Sequence, residues 1–270
     1  MTSFSTTRAK RSRAPVRELL TLLGYELKET FDSIPWTVYF WFFFGFQYFV
    51  YGQLVSRLVG SNLPNSNYYL YYGTGLLIIM TFNVASWSGR RFVEGAHEGR
   101  LRYILSLPIR RGELFLEQLM LGLIANIVRI GPPLVLVLWL NGMSPIMLLT
   151  SLTVLLSISV GVMGIMISLS FVAFKSFDIY SAIVASTSAI LLRFSTILYP
   201  LSFMPNAYAS VARFNPLTYG ADLLRNVMNV DVSQLLNPGS SAFIVAAVGV
   251  SMLTLGMAIV PRTLEGVKSS

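Results

Sequence analysis

WTVYFWFFFGFQYFVYGQLVS, residues 36–56, decides the fold class. No charged residue occurs in it, and eleven of its side chains are aromatic, so they run right round any helix it forms. A soluble helix hides one apolar stripe and solvates the rest, whereas a bilayer accepts an apolar surface on every side. A membrane core about 30 Å thick takes roughly 20 such residues as a helix. Working outward, residues 68–89, 118–140, 146–173, 177–201 and 242–260 show the same apolar length, which gives an expected six transmembrane helices in an all-α, polytopic membrane protein. Trp36, Trp87 and Trp139 fall near proposed span ends, where an amphipathic ring favours the headgroup zone.

The chain has 270 residues, of which 54% are hydrophobic and only 12% charged, against about 25% in soluble domains. Its formal charge of +8 would raise nucleic acid as a partner in a soluble protein. The placement of the charges points elsewhere. Arg8, Lys10, Arg11, Arg13, Arg17 and Lys28 precede span one, and Arg90, Arg91, Arg100, Arg102, Arg110 and Arg111 lie between spans two and three. Lys175, Arg262 and Lys268 fall on the same side, while Arg57, Arg213 and Arg225 lie on the other. The positive-inside rule then puts both termini and residues 90–117 in the cytoplasm, with no nucleic acid needed to explain the charge. There is no cysteine, and the single histidine, His97, cannot build a metal site alone.

One transmembrane domain is expected over residues 1–270, with three flanking pieces. A basic tail, 1–14, has no short apolar stretch and cleavage site behind it and is expected to be retained. Residues 15–34 place Val16, Leu19, Leu20, Leu23 and Leu27 on one face, the pattern of an amphipathic helix lying on the inner membrane surface, with a solvated lead-in that only anchors span one as the other reading. The third piece, 202–240, is external and broken by prolines, as expected of short re-entrant helices packed on protein.

Residues 90–117 carry a helical pattern of their own. Leu101, Ile104 and Leu105 share a face, Glu94, Glu98 and Arg102 another, and Pro108 ends or kinks the helix before span three. Such a face must be buried either on the membrane or in a partner's groove. In the external piece Asn215 is a good N-cap, Pro216 suits the first helical position, and Asp222 can reach Arg225 across one turn.

EGAHEGRLRYILSLPIRRGELFLEQL, residues 94–119, resembles the cytoplasmic loop of ABC-2 type transporter permeases, with Glu98, Gly99, Leu101, Ile104, Leu105, Pro108 and Arg111 at matching positions. Pro205, Pro216, Leu217, Tyr219 and Arg225 are similar to that family's external signature before span six. The resemblance implies that the loop is a coupling helix docked in a cleft of an ATPase subunit. It departs from the usual Gly-Thr-Leu-Glu by reading Gly99-Arg100-Leu101-Arg102, which implies a more acidic cleft. It further implies an export permease of a prokaryotic plasma membrane, similar to drug-resistance, nodulation and polysaccharide-export permeases. Two permease chains, a pair of copies or paralogues, would work with two ATPases, and ATP and Mg would be held by the ATPases, leaving no cofactor on this chain.

No Gly-Lys dipeptide occurs, so these residues contain no P-loop and are not expected to hydrolyse ATP. The carboxylates avoid the centres of the expected spans, which disfavours the alternative of a secondary carrier or channel working without an ATPase. An intramembrane enzyme would want a cluster of nucleophiles and bases, and none is visible in the sequence. Arg129 and Arg193 interrupt apolar runs: one or both attract an anionic substrate group or pair across a permease interface, or else they snorkel to lipid phosphate or bond backbone carbonyls. Trp41, Phe44 and Tyr48 are aromatic candidates for the translocation path, with ordinary lipid contact as the other reading. Ser181, Ala185 and Ala189 on span five, and Ser157 and Gly161 on span four, suit close helix packing. The substrate is expected to be hydrophobic or amphipathic: a drug, a lipid or a lipid-linked saccharide.

Overall fold

A computed structural model describes residue 24 and residues 34–59, 68–97, 111–142, 144–172, 176–230 and 237–268. All their regular structure is helical, with no strand among the described residues. The expected interfacial helix, but for residues 24 and 34, and docking residues 98–110 lie outside them. In chain order the helices are α1 (Ile34–Phe46), a π-helical turn (Gln47–Tyr51), α2 (Gly52–Val59), α3 (Tyr68–His97), α4 (Arg111–Leu140) and α5 (Pro145–Val172). They are followed by α6 (Phe177–Arg193), a short 3-10 turn (Leu201–Phe203), α7 (Asn206–Phe214), α8 (Pro216–Val227) and α9 (Pro238–Lys268).

Among the described residues, three helical stretches are long and apolar enough to cross a membrane: Phe115–Leu140, Pro145–Ser170 and Pro238–Ile259. Burial separates their roles, since 61% of the most apolar stretch of α5 is inside the molecule and only 17% of that of α9. α5 is the central post. It packs along α3 and α9, and also touches α4, α6 and α8. Small residues set its approach to α9: Gly161 faces Gly249, and a Cβ on Gly164 would lie 2.8 Å from the Met252 Cβ. With no hydrophobic drive between helices in lipid, this kind of close backbone fit supplies the association. Several hydroxyls on α5 bond to their own helix, as where Ser168 donates to the Gly164 carbonyl at 2.7 Å and Ser157 to that of Thr153 at 2.9 Å.

Several boundaries differ from the sequence expectation. Span one is not one regular helix. The π turn shifts its register and brings the Tyr48 ring, fully buried, to 4.3 Å from that of Tyr69. Span two, expected to stop at residue 89, continues to His97 as one helix of 30 residues. α4 starts at Arg111 instead of 118, so Glu117, expected outside, is only 6% exposed within its packed part. Pro132 and Pro133 sit inside α4 without ending it, as membrane helices tolerate where neighbours compensate.

Span five, expected to reach residue 201, ends at Arg193 after 17 residues. Phe194 leaves helical geometry, with φ −92° and ψ 49°. The carbonyls released there are taken up from outside the helix. Arg193 therefore stands exposed at a helix C-terminus, where a positive charge suits the macrodipole, and not at mid-span.

Candidate functional site

The sequence marks two places, and described residues of the two, Glu94 and Arg225, lie toward opposite ends of α3. At the C-terminal end, Arg90 donates from Nε to the Glu94 carboxylate at 2.8 Å, the helical i, i+4 spacing. The same guanidinium lies over the Phe177 ring of α6, 5.2 Å from its centroid. Beneath it, Val93 and Tyr180 are buried together, with Phe177 and Ile183 packed around them. Of the expected docking residues, Glu94 belongs to this corner. Glu98, Gly99, Arg100, Leu101, Arg102, Ile104, Leu105 and Pro108 lie outside the described residues, and Arg111 opens α4.

At the N-terminal end of α3 the motif expected to lie outside forms a lock. Asn215 caps α8 by accepting from the Leu217 amide at 3.0 Å. Its amide nitrogen donates to the carbonyls of both Leu191 and Phe194 at 2.7 Å. One side chain thus starts α8 and stops α6, using the orphan groups that helix ends always leave. Pro216, at the first position of α8, gives up no bond because its missing N–H would have had no partner.

From α8, Arg225 reaches back with 3% of its surface exposed. It donates to the Ile197 carbonyl at 2.7 Å and to the Thr74 hydroxyl at 3.3 Å, and lies 3.5 Å above the centre of the Tyr71 ring. Burial draws its pKa down, while the negative charge of Asp222 one turn away draws it up. A guanidinium starts so high that it stays charged. Tyr71 donates to the Thr196 carbonyl and Tyr68 to that of Leu198 at 2.9 Å, so residues 196–198 are tied to α3 along their length. Any side chain at Gly75 would collide with the Ile197 carbonyl oxygen. Leu217 is buried in the core, and Tyr219 donates to the Arg213 carbonyl, closing α7 onto α8. Pro205 stands just before α7.

The sequence named one half of this lock and missed the other. Tyr68, Tyr71, Thr74, Gly75 and Ile197 carried no motif; the one signal for the first four was the hydroxyl-rich run YYLYYGTG, residues 68–75, and Ile197 had none.

Arg129 lies inside the candidate span of α4 and is 2% exposed. Its Nε points at the Thr37 hydroxyl at 3.5 Å, with the guanidinium 5.4 Å from the Trp87 ring centre and 5.9 Å from that of Phe40. A central arginine costs about 2.5–3.5 kcal/mol on insertion scales, and each desolvated cation–π contact returns up to about 2 kcal/mol. The two magnitudes are comparable, so Phe40 on α1 and Trp87 on α3 offset much of the cost of this charge. Trp41 donates from its indole to the Arg129 carbonyl at 3.0 Å, which fixes α1 against α4. Phe44 and Tyr48, stacked at 5.7 Å, are buried in the core.

On the opposite face of α1, Trp36, Tyr39, Phe42, Phe43 and Phe46 are exposed, as are Ser181, Ala185 and Ala189 on α6. Ser157 and Gly161 lie on the face of α5 that meets α9. No group of three or more His, Cys, Asp or Glu fit to hold a metal occurs among the described residues.

Comparison with known proteins gives one family. The family model described as ABC-2 type transporter matches residues 17–229, well over half of the chain and inclusive of both ends of α3. No curated protein matches.

Proposed function

The chain belongs to the ABC-2 type transporter family, and on that premise we propose that it is the permease subunit of an ATP-driven exporter. In this reading six segments cross the membrane: α1 with α2, then α3, α4, α5, α6 and α9. Both termini and residues 90–117 face the cytoplasm, and α7 and α8 lie outside. A separate ATPase binds the segment after α3, holding ATP and Mg, because the residues of this chain contain no P-loop. Two permeases pair through their uncovered surfaces, with α1 and α6 as the faces left bare in the single chain. The cargo is hydrophobic or amphipathic: a drug, a lipid or a lipid-linked saccharide. The setting is a prokaryotic plasma membrane.

The observation that carries this reading is the continuity of α3. Its 30 residues span about 45 Å at 1.5 Å each. One end leads straight into the expected docking segment, and the other is clamped to Ile197, Leu198 and Arg225. A rigid helix with those two terminations can carry a displacement from an ATPase to the external lock.

Co-expression with the ABC ATPase encoded beside this chain tests the proposal. The ATPase should co-purify with the wild type and be lost with Leu101→Asp plus Leu105→Asp, while the variant still inserts. A wild-type chain that purifies without any ATPase would remove the ground for the docking segment.

A further inference from the structure

We propose that Arg90 and Tyr180, with Phe177 between them, form the joint that passes motion from the end of α3 into α6. The proposal rests on the permease reading above and names which side chains do the coupling.

α6 is loosely held along its length. Tyr180 is its one fully buried residue, and Ile179, Ser181, Ala182, Ala185, Ser186, Ala189 and Ile190 are exposed. Its firm attachments are therefore at its two ends. The C-terminal end is bonded through the Leu191 and Phe194 carbonyls to Asn215. The N-terminal end is the corner with α3. Ser176 caps the helix there by accepting from the Ile179 amide at 3.4 Å, which keeps the first turn formed.

The corner is tight enough to act as one body. The Tyr180 hydroxyl and the Met166 carbonyl crowd Gly89 so closely that a Cβ there would sit 2.5 Å and 2.6 Å from them. α3, α5 and α6 thus meet at a point where no side chain fits. Above it, Arg90 joins Glu94 on its own helix to Phe177 on the other. A group that moves the end of α3 then moves the first turn of α6 with it through Gly89, Arg90 and Val93. α6 then carries the shift to Asn215, hence to α8 and Arg225. The buried Tyr180 hydroxyl has no hydrogen-bond partner among the described residues, so the ring acts here by its shape. Two routes reach the external lock, α3 itself and α6, and the joint makes them move together instead of shearing.

The absence of cysteine from the sequence gives a clean test. Ser202→Cys places a single thiol on the exposed link between α6 and α7. The purified complex with its ATPase is placed in lipid nanodiscs. The labelling rate by a charged maleimide is compared with and without ATP–Mg trapped by vanadate.

The nucleotide should change that rate by about fivefold, the low end of ordinary coupling between sites. Phe177→Leu and Arg90→Gln should each abolish the change while the complex still forms and hydrolyses ATP. Arg90→Lys, which keeps the cation over the ring, should restore it, and Tyr180→Phe should respond like the wild type. Arg90 is half exposed, so its replacement does not threaten folding. A full nucleotide response in both Phe177→Leu and Arg90→Gln would overturn the joint and leave the permease reading standing. A wild-type chain that recruits no ATPase would overturn both.

Discussion

Asn215 concentrates more structural work than any other side chain of the external motif. It caps α8 with its oxygen and ends α6 with its nitrogen, so it is used on both sides. Replacing it with alanine removes a cap worth about 1 kcal/mol and leaves two carbonyls with a lost partner at about 1–3 kcal/mol each. A loss of about 3 kcal/mol is expected, read as a fall in the unfolding midpoint of the purified protein. Asn215→Asp separates the two roles. Aspartate caps as well as asparagine, so a residue needed only as a cap would be rescued by it. Here aspartate should rescue nothing, because it cannot donate to the Leu191 and Phe194 carbonyls and sets a negative charge against them.

Among the helices, the α5–α9 crossing is where small residues decide the geometry. A Cβ at Gly164 would press on Met252 Cβ, C and O at 2.8–2.9 Å, two of them backbone atoms that cannot rotate away. A Cβ at Gly161 finds nothing nearer than 3.8 Å. Gly164→Ala should therefore destabilise by about 1–3 kcal/mol through overpacking, while Gly161→Ala should be neutral or slightly stabilising. Thermal melts of the two variants in the same detergent give the comparison, and equal midpoints would contradict it.

At this same scale the sequence was readable in some places and silent in others. Apolar length located every long helix to within a few residues at most ends, because hydropathy depends only on local composition. It misjudged the end of span five, since Leu198 and Tyr199 look like a continuing span. What stops the helix is Asn215, more than twenty residues away, and no local signal reports a partner that distant. Arg225 was visible as a motif residue, but its companions on α3 were not, because threonine and tyrosine in an apolar run read equally well as filler. Arg129 was visible as an anomaly. Its resolution by Phe40 and Trp87 depends on how α1 and α3 pack beside it, which periodicity does not contain.

As a whole, the molecule is a post, α5, ringed by helices, with a long helix, α3, clamped at its N-terminal end by residues 196–198 and Arg225. In the single chain α9 is largely bare and the aromatic face of α1 is uncovered, surfaces open to lipid or to a neighbouring subunit. The central claim is that the chain works within a set of permeases and ATPases in equal number. Native mass spectrometry of the complex, purified from its own membrane through a tag on this chain, measures that directly. The account predicts two copies of this chain, or one with a paralogue, bound to two P-loop ATPase chains, and dissociation of the ATPases alone in Leu101→Asp plus Leu105→Asp. A chain released only as a monomer, or as an oligomer of itself with no ATPase at any stoichiometry, would contradict it.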